Sequence, residues 1–219
     1  VRRLPLDIIR EIFVTCLPTD RNCAMSAVEA PILLGRICSA WRAISLSTPR
    51  LWAKLHIFEP LPPSPSAVAF FEKSLVQRIE ATKLWLRRSG QCPLSISIKA
   101  TDHDIDSPAS IKQILQALLP FASCWEHLTF TIQFSALATV SHLTEADVPM
   151  LQSVTIWKQN FGHYNRYSLF TIATRTRGAG GRKSWVCPPN GYLCIACGCG
   201  PSATRPSQPI RVPGELREK

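Results

Sequence analysis

Apolar residues open this chain at helical intervals. Ile8, Ile9, Ile12, Phe13, Cys16 and Leu17 follow one another at three- and four-residue offsets, a spacing that predicts a helix of about three turns with two apolar rows on one side. Leu4-Pro5-Leu6-Asp7 reads as its start, because proline in the first turn forfeits no hydrogen bond and an early acid favours the positive end of the helix. Arg10 and Glu11 are expected to face water. After a polar connector over residues 18–29, Pro31 opens a second predicted helix with the apolar set Leu33, Leu34, Ile37, Cys38, Trp41 and Ile44, and with Arg36 and Arg42 on its wet face. Ser47-Thr48-Pro49 stops that helix and starts another turn, with Thr48 as the expected side-chain cap and with Leu51 and Trp52 thrown back onto the bundle. Six large apolar groups on so short a first helix need a cover, since burying each Leu, Ile or Phe is worth roughly 1.5 to 3 kcal/mol.

The pattern then changes period. Leu55, Ile57 and Phe58 form a short strand-like run, and Pro62, Pro63 and Pro65 make residues 59–66 a stiff extended linker, with Ser66 able to cap a helix directly after it. Phe71, Leu75, Ile79, Thr82 and Leu86 predict a long amphipathic helix over residues 67–89, ended by Gly90 and by Pro93 soon after. Three half-buried strands are expected at Leu94, Ile96 and Ile98, at Leu128, Phe130 and Ile132, and at Leu151, Val154 and Ile156. Between the first two lies a helical set, Ile111, Ile114, Leu115, Leu118 and Leu119, preceded by Ser107-Pro108 and stopped at Pro120. The fold class expected is α+β. Trp85, Trp125 and Trp157 stand at the ends of these elements, where packing is a commoner role than anchoring a partner.

The segments LPLDIIREIF and APILLGRICSAWRAISLSTPRLWAKLHI resemble the F-box, most closely the F-box-like proteins of mushroom-forming fungi. The match covers residues 4–57, about a quarter of the chain, and its specificity lies in the combination: a Leu-Pro start, Ile-Phe downstream, a Cys before Ser-Ala-Trp-Arg, and finally Ser-Thr-Pro-Arg-Leu-Trp. The connector ahead of Pro31 is long beside a minimal F-box, although a surface loop tolerates insertion. The resemblance implies a three-helix module that binds a small Skp-type adaptor and through it a cullin scaffold in a ubiquitin ligase, while the rest of the chain selects a protein substrate. Carried over position by position, the adaptor-facing residues it implies are Leu4, Pro5, Ile8, Ile9, Ile12, Phe13, Leu33, Ile37, Cys38, Trp41, Leu51 and Trp52. A self-contained three-helix core built from the same residues is the alternative.

The strands and helices beyond the linker resemble irregular leucine-rich repeats, the usual substrate-binding extension of those fungal relatives, with a small α/β layer lacking any repeat as the other reading. Such arrays need about three units and a polar cap, so a solenoid this short is expected to be completed by partners or to be a piece of a longer one. The expected organisation is therefore an F-box at residues 1–58, a Pro-rich linker at 59–66, a helix plus repeat-like region at 67–160, and a basic tail at 161–219.

Composition refines this picture at two points. The chain's formal charge of +10 suggests nucleic acid until it is divided: residues 1–160 hold 16 Lys and Arg against 13 Asp and Glu, net +3, which leaves +7 for the tail. Nine cysteines are an odd number, and Cys16 and Cys38 sit at apolar helical positions, so a reducing compartment, cytoplasmic or nuclear, is expected. No apolar run approaches the roughly 18 residues of a membrane span, and a soluble protein with no membrane partner is expected.

From Phe161 the periodicity fades into Gly, Pro, Arg, Ser and Cys, a composition that offers little apolar surface to offset chain entropy and reads as disordered. So abrupt a change is also what a truncated or mis-spliced product would show. Cys187, Cys194, Cys197 and Cys199 could surround zinc, yet Cys199 crowds Cys197 and Cys187 stands alone beside two prolines, a poor match to paired knuckles. Gly178-Ala179-Gly180-Gly181-Arg182-Lys183-Ser184 has arginine where a phosphate loop needs glycine. With Arg175 and Arg177 that stretch could touch a nucleic-acid backbone, but only Tyr164, Tyr167 and Trp185 are near for stacking. A nucleic-acid-binding or zinc-stabilised protein acting through this tail is thus the competing class. The histidines, from His56 to His163, fall in no metalloprotease frame, no Gly-x-Ser-x-Gly occurs, and Asp102, Asp104 and Asp106 lack the glycine and glutamate of a calcium loop. No catalytic residue, metal or cofactor is expected, and any ubiquitin transfer would fall to other subunits, with this chain supplying proximity.

Overall fold

Alternation of apolar residues with mostly Ser, Thr, His and Lys builds a sheet that has one dry face. In the computed structural model, which describes residues 4–60, 68–100, 109–132, 134–158, 168–177 and 183–186, strands β1 (Lys54–Phe58), β2 (Leu94–Lys99), β3 (Trp125–Thr131) and β4 (Ser153–Lys158) lie side by side in sequence order, all parallel. Their register aligns Leu55, Ile96, Leu128 and Val154 in one row and Ile57, Ile98, Phe130 and Ile156 in the next. None of these eight side chains is more than 4 % exposed.

Parallel neighbours require a crossover, and two helices supply it. Helix α4 (Val68–Arg88) connects β1 to β2 and buries Leu75, Thr82, Trp85 and Leu86; it ends at Ser89 and at Gly90, whose φ of +58° is the left-handed conformation that suits glycine. Helix α5 (Ala109–Leu118) connects β2 to β3, buries Ile111, Ile114, Leu115 and Leu118, and packs against α4. A 3-10 turn over Leu119–Cys124 leads into β3, and a second, over Phe134–Thr139, stands between β3 and β4 and also packs on α5. The expected strands and both expected middle helices are therefore present, and Trp85 and Trp125 are core residues, 3 % and 2 % exposed.

Several expectations are corrected. Residues 31–46 were expected to form one helix, but they form two, α2 (Leu34–Ile37) and α3 (Ser39–Leu46), because Cys38 is extended between them, with φ −157° and ψ 170°. Its sulfur accepts from the Trp41 amide at 3.5 Å, so the residue expected on an apolar helix face is instead the N-cap of α3. Thr48 does not cap the 3-10 turn Pro49–Trp52; its hydroxyl donates backwards to the Ile44 carbonyl at 2.7 Å.

The connector is not merely a surface loop. Cys23 is fully buried, the His56 amide donates to the Cys23 carbonyl at 2.7 Å, and Ala24 bridges in parallel to His56, so this segment closes the outer edge of β1. The division expected after residue 58 marks no break in the core either. One cluster of buried side chains runs from Ile9 to Ile156, joined where the Trp52 ring meets Trp85 edge-on at 4.9 Å.

Beyond residue 161, where the composition leads one to expect disorder, β5 (Ser168–Arg177) and β6 (Lys183–Val186) continue the sheet in antiparallel fashion beyond β4. The β-branched content of Thr171, Ile172, Thr174 and Thr176 favours this. The proline linker with Ser66, the Asp102-Asp104-Asp106 alternation, Ser107-Pro108, the glycines of the arginine patch and the four tail cysteines lie outside the described residues.

Candidate protein-docking site

Helix α1 (Leu6–Thr15) has two apolar rows and turns only one of them inward. Successive residues point about 100° apart on a helix, so Ile8 and Ile9 cannot share a direction. Ile9, Phe13 and Leu17 go into the core at 7, 1 and 8 % exposure. The other row, Leu4, Ile8 and Ile12, is left at 45 to 49 % exposure, and Cys16 extends it as an exposed free thiol whose hydrogen is donated to the Ile12 carbonyl.

The inner row is held from two sides. The Phe13 ring lies 4.9 Å from that of Trp41 on α3, tilted by 50°. From the 3-10 turn, Leu51 and Trp52 are buried, and the Trp52 indole donates to the Ser45 carbonyl at 2.9 Å. Arg88 of α4 stacks its guanidinium 4.5 Å over the Trp52 ring, a cation–π contact that ties the helices to the body of the protein. Glu11 on the wet side of α1 pairs with Arg50, both well exposed, so this ion pair adds little stability. Arg10, expected in water, is half-buried, with a sequestered Nε.

Helix α2 repeats the arrangement on a smaller scale. Leu34 is buried, while Leu33 and Ile37 stand outward at 42 and 55 % exposure beside the exposed Cys38. Arg42 of α3 donates its Nε to the Gly35 carbonyl at 2.8 Å and fixes α2 on α3, and α1 also packs on α3. Two short helices on one support thus each turn an aliphatic row away from the core.

Of the twelve residues implied to face an adaptor, Leu4, Pro5, Ile8, Ile12, Leu33, Ile37 and Cys38 are exposed and Trp41 is half-buried. Ile9, Phe13, Leu51 and Trp52 are enclosed by this chain's own core, so they shape the surface from beneath and are closed to a partner. Two exposed leucines were missed, Leu6 and Leu46. Leu46 falls one turn after Arg42, and an apolar residue on a face marked as wet was the available signal.

Chemically, the surface offers aliphatic groups and two thiols. Among the described residues no three His, Cys, Asp or Glu side chains come together as a metal site, and no helix is long and apolar enough to cross a membrane. No protein-family model matches the sequence, and comparison with curated proteins and with solved structures returned no significant match.

Proposed function

We propose that this chain is an F-box-type substrate receptor, which docks a Skp-type adaptor through α1 and α2 and carries a protein substrate on the repeat-like sheet region behind them. The observation that supports this reading is the outward aliphatic row Leu4, Ile8 and Ile12, facing away from a core that the same helix already fills with Ile9 and Phe13. Large aliphatic groups left about half exposed at regular spacing keep roughly 1 kcal/mol each of burial to be gained from a partner. Through the adaptor the chain joins a cullin scaffold; it performs no chemistry itself, and ubiquitin transfer falls to other subunits.

The four parallel strands with helices between them fit an irregular leucine-rich array, and the connector that bridges to β1 fits the edge cover that such an array needs. The decisive experiment is co-expression with a Skp-type adaptor. The double variant Ile8→Asp, Ile12→Asp alters only exposed positions, so it should keep its circular dichroism and melting temperature while losing co-purification by tenfold or more. Undiminished recovery of the adaptor with the folded double variant would defeat the proposal.

A further inference from the structure

Parallel sheets are normally covered on both faces, and their strands then read as continuous apolar runs. Here the four parallel strands alternate. Opposite the two apolar rows, the register forms three rows of another kind: Lys54, Ser95, His127 and Ser153; His56, Ser97, Thr129 and Thr155; and Phe58, Lys99, Thr131 and Trp157. Every one of these twelve side chains is half-buried or exposed. Six are hydroxyls, four are Lys or His, and the two aromatics stand at opposite ends of the third row.

The hydrogen bonding on this face is ordered. Asn22 of the connector donates to the Ser97 oxygen at 3.1 Å, and Ser97 lies 2.7 Å from His56 Nδ1. His127 and Ser153 form a second such pair across β3 and β4 at 2.8 Å. Lys54 and Lys99 are exposed on this face and no carboxylate falls in its three rows, so the rows themselves carry positive charge; of the acids at its margin, Glu29 is paired with Arg21, Glu126 accepts from the Gln152 amide at 2.6 Å, and Glu59 accepts from the Ser110 hydroxyl. After burial, the positive charges of Arg21 and Lys99 are what hold the His56 pKa below its ordinary value, with Glu29 opposing them.

We infer that this open face binds an extended, Asp- and Glu-bearing segment of a protein partner, with its carboxylates among Lys54, Lys99 and the hydroxyl rows and its apolar side chains on Phe58 and Trp157. A protein segment fits better than a nucleic acid. Base stacking uses closely spaced aromatic platforms, whereas Phe58 and Trp157 stand three strand spacings apart, about 14 Å at ~4.8 Å per strand, with Lys99 and Thr131 between them. That gap matches about four residues of extended peptide at ~3.3 Å each. The inference rests on the receptor reading for the role of this face and adds the chemistry of its substrate.

The test is selection from a random library of eight-residue peptides displayed against the full chain, followed by fluorescence anisotropy with the enriched peptides. The selected peptides should be rich in Asp and Glu and should lose at least tenfold in affinity to Lys99→Glu and to Trp157→Ala. The tail's positive charge is common to all these proteins, so the difference reports the sheet face. Ile8→Asp, Ile12→Asp should bind the peptides normally, and Lys99→Glu should still recover the Skp-type adaptor, which separates failure here from failure of the docking proposal. Selection of non-acidic peptides, no enrichment at all, affinity unchanged by both sheet variants, or tighter binding of a twelve-nucleotide oligouridine that either variant weakens would overturn the inference.

Discussion

The N-terminal helices and the parallel sheet each present two sets of alternating positions, and the two regions treat their outer set in opposite ways. On the sheet ten of the twelve outer positions are Ser, Thr, His or Lys, chemistry that water satisfies, and the other two, Phe58 and Trp157, stand at opposite ends of one row. On α1 and α2 they are Leu and Ile at about half exposure. Patterning in the sheet accounts for its own solvation; patterning in the helices does so only when another molecule is added. A polar outer set marks a surface that water can cover, and an aliphatic one marks a surface that it covers poorly.

The sharpest way to break this contrast uses two adjacent residues. Phe13→Ala empties a site at 1 % exposure against Trp41 and should cost about 3 to 5 kcal/mol in urea unfolding. Ile12→Ala, one position earlier at 45 % exposure, should stay within about 0.5 kcal/mol of the wild type. Equal costs at the two positions would mean that the outer row is already covered within this chain.

The joint between the two regions comes next in size. Trp52 and Trp85 meet edge-on with Arg88 over the Trp52 ring, so Trp52→Leu and Trp85→Leu should be non-additive in a double-mutant cycle by about 0.5 to 1.5 kcal/mol. Simple additivity would show that the helices and the sheet are stabilised independently.

The smallest effect concerns pH. Burial first, then Arg21 and Lys99, depress the His56 pKa. With a depressed folded-state value the unfolded chain takes up the proton first, so this contribution is complete above about pH 6.5 and is lost as pH falls below it. Lowering pH from about 7.5 to about 5.5 should therefore reduce the urea midpoint, and His56→Gln should reduce it by less. An equal fall in the variant would remove His56 from the account. Glu29, held low by Arg21 despite partial burial, acts in a separate window at lower pH, where its stabilisation is lost as it protonates.

Sequence pattern located the middle of the molecule well, because α4, α5 and the strands β2 to β4 each combine a clear period with a stop such as Gly90 or Pro120. Period alone could not say which row of α1 is buried, since Ile8 and Ile9 are equally apolar and the choice is made by Trp41, Leu51 and Trp52 from elsewhere in the chain. The break at Cys38 was hidden because a thiol reads as a small apolar residue and seldom as a cap. The connector reads as loop because Cys23 and Met25, which it turns to the core, are too short a run among polar residues to set a period. Strands β5 and β6 were missed because glycine and arginine around them dominate the composition.

The most direct test of the outward aliphatic surface is the rate of iodoacetamide labelling at each cysteine, followed by mass spectrometry with and without a saturating Skp-type adaptor. Cys16 and Cys38 border that surface and are exposed, Cys92 is partly exposed at the end of α4, and Cys23 is buried with its thiol pushed up to about 11, which leaves it nearly silent throughout. The account predicts that the adaptor slows Cys16 and Cys38 severalfold and leaves Cys92 unchanged. Unaltered labelling of Cys16 and Cys38 in a complex that still co-elutes would contradict it.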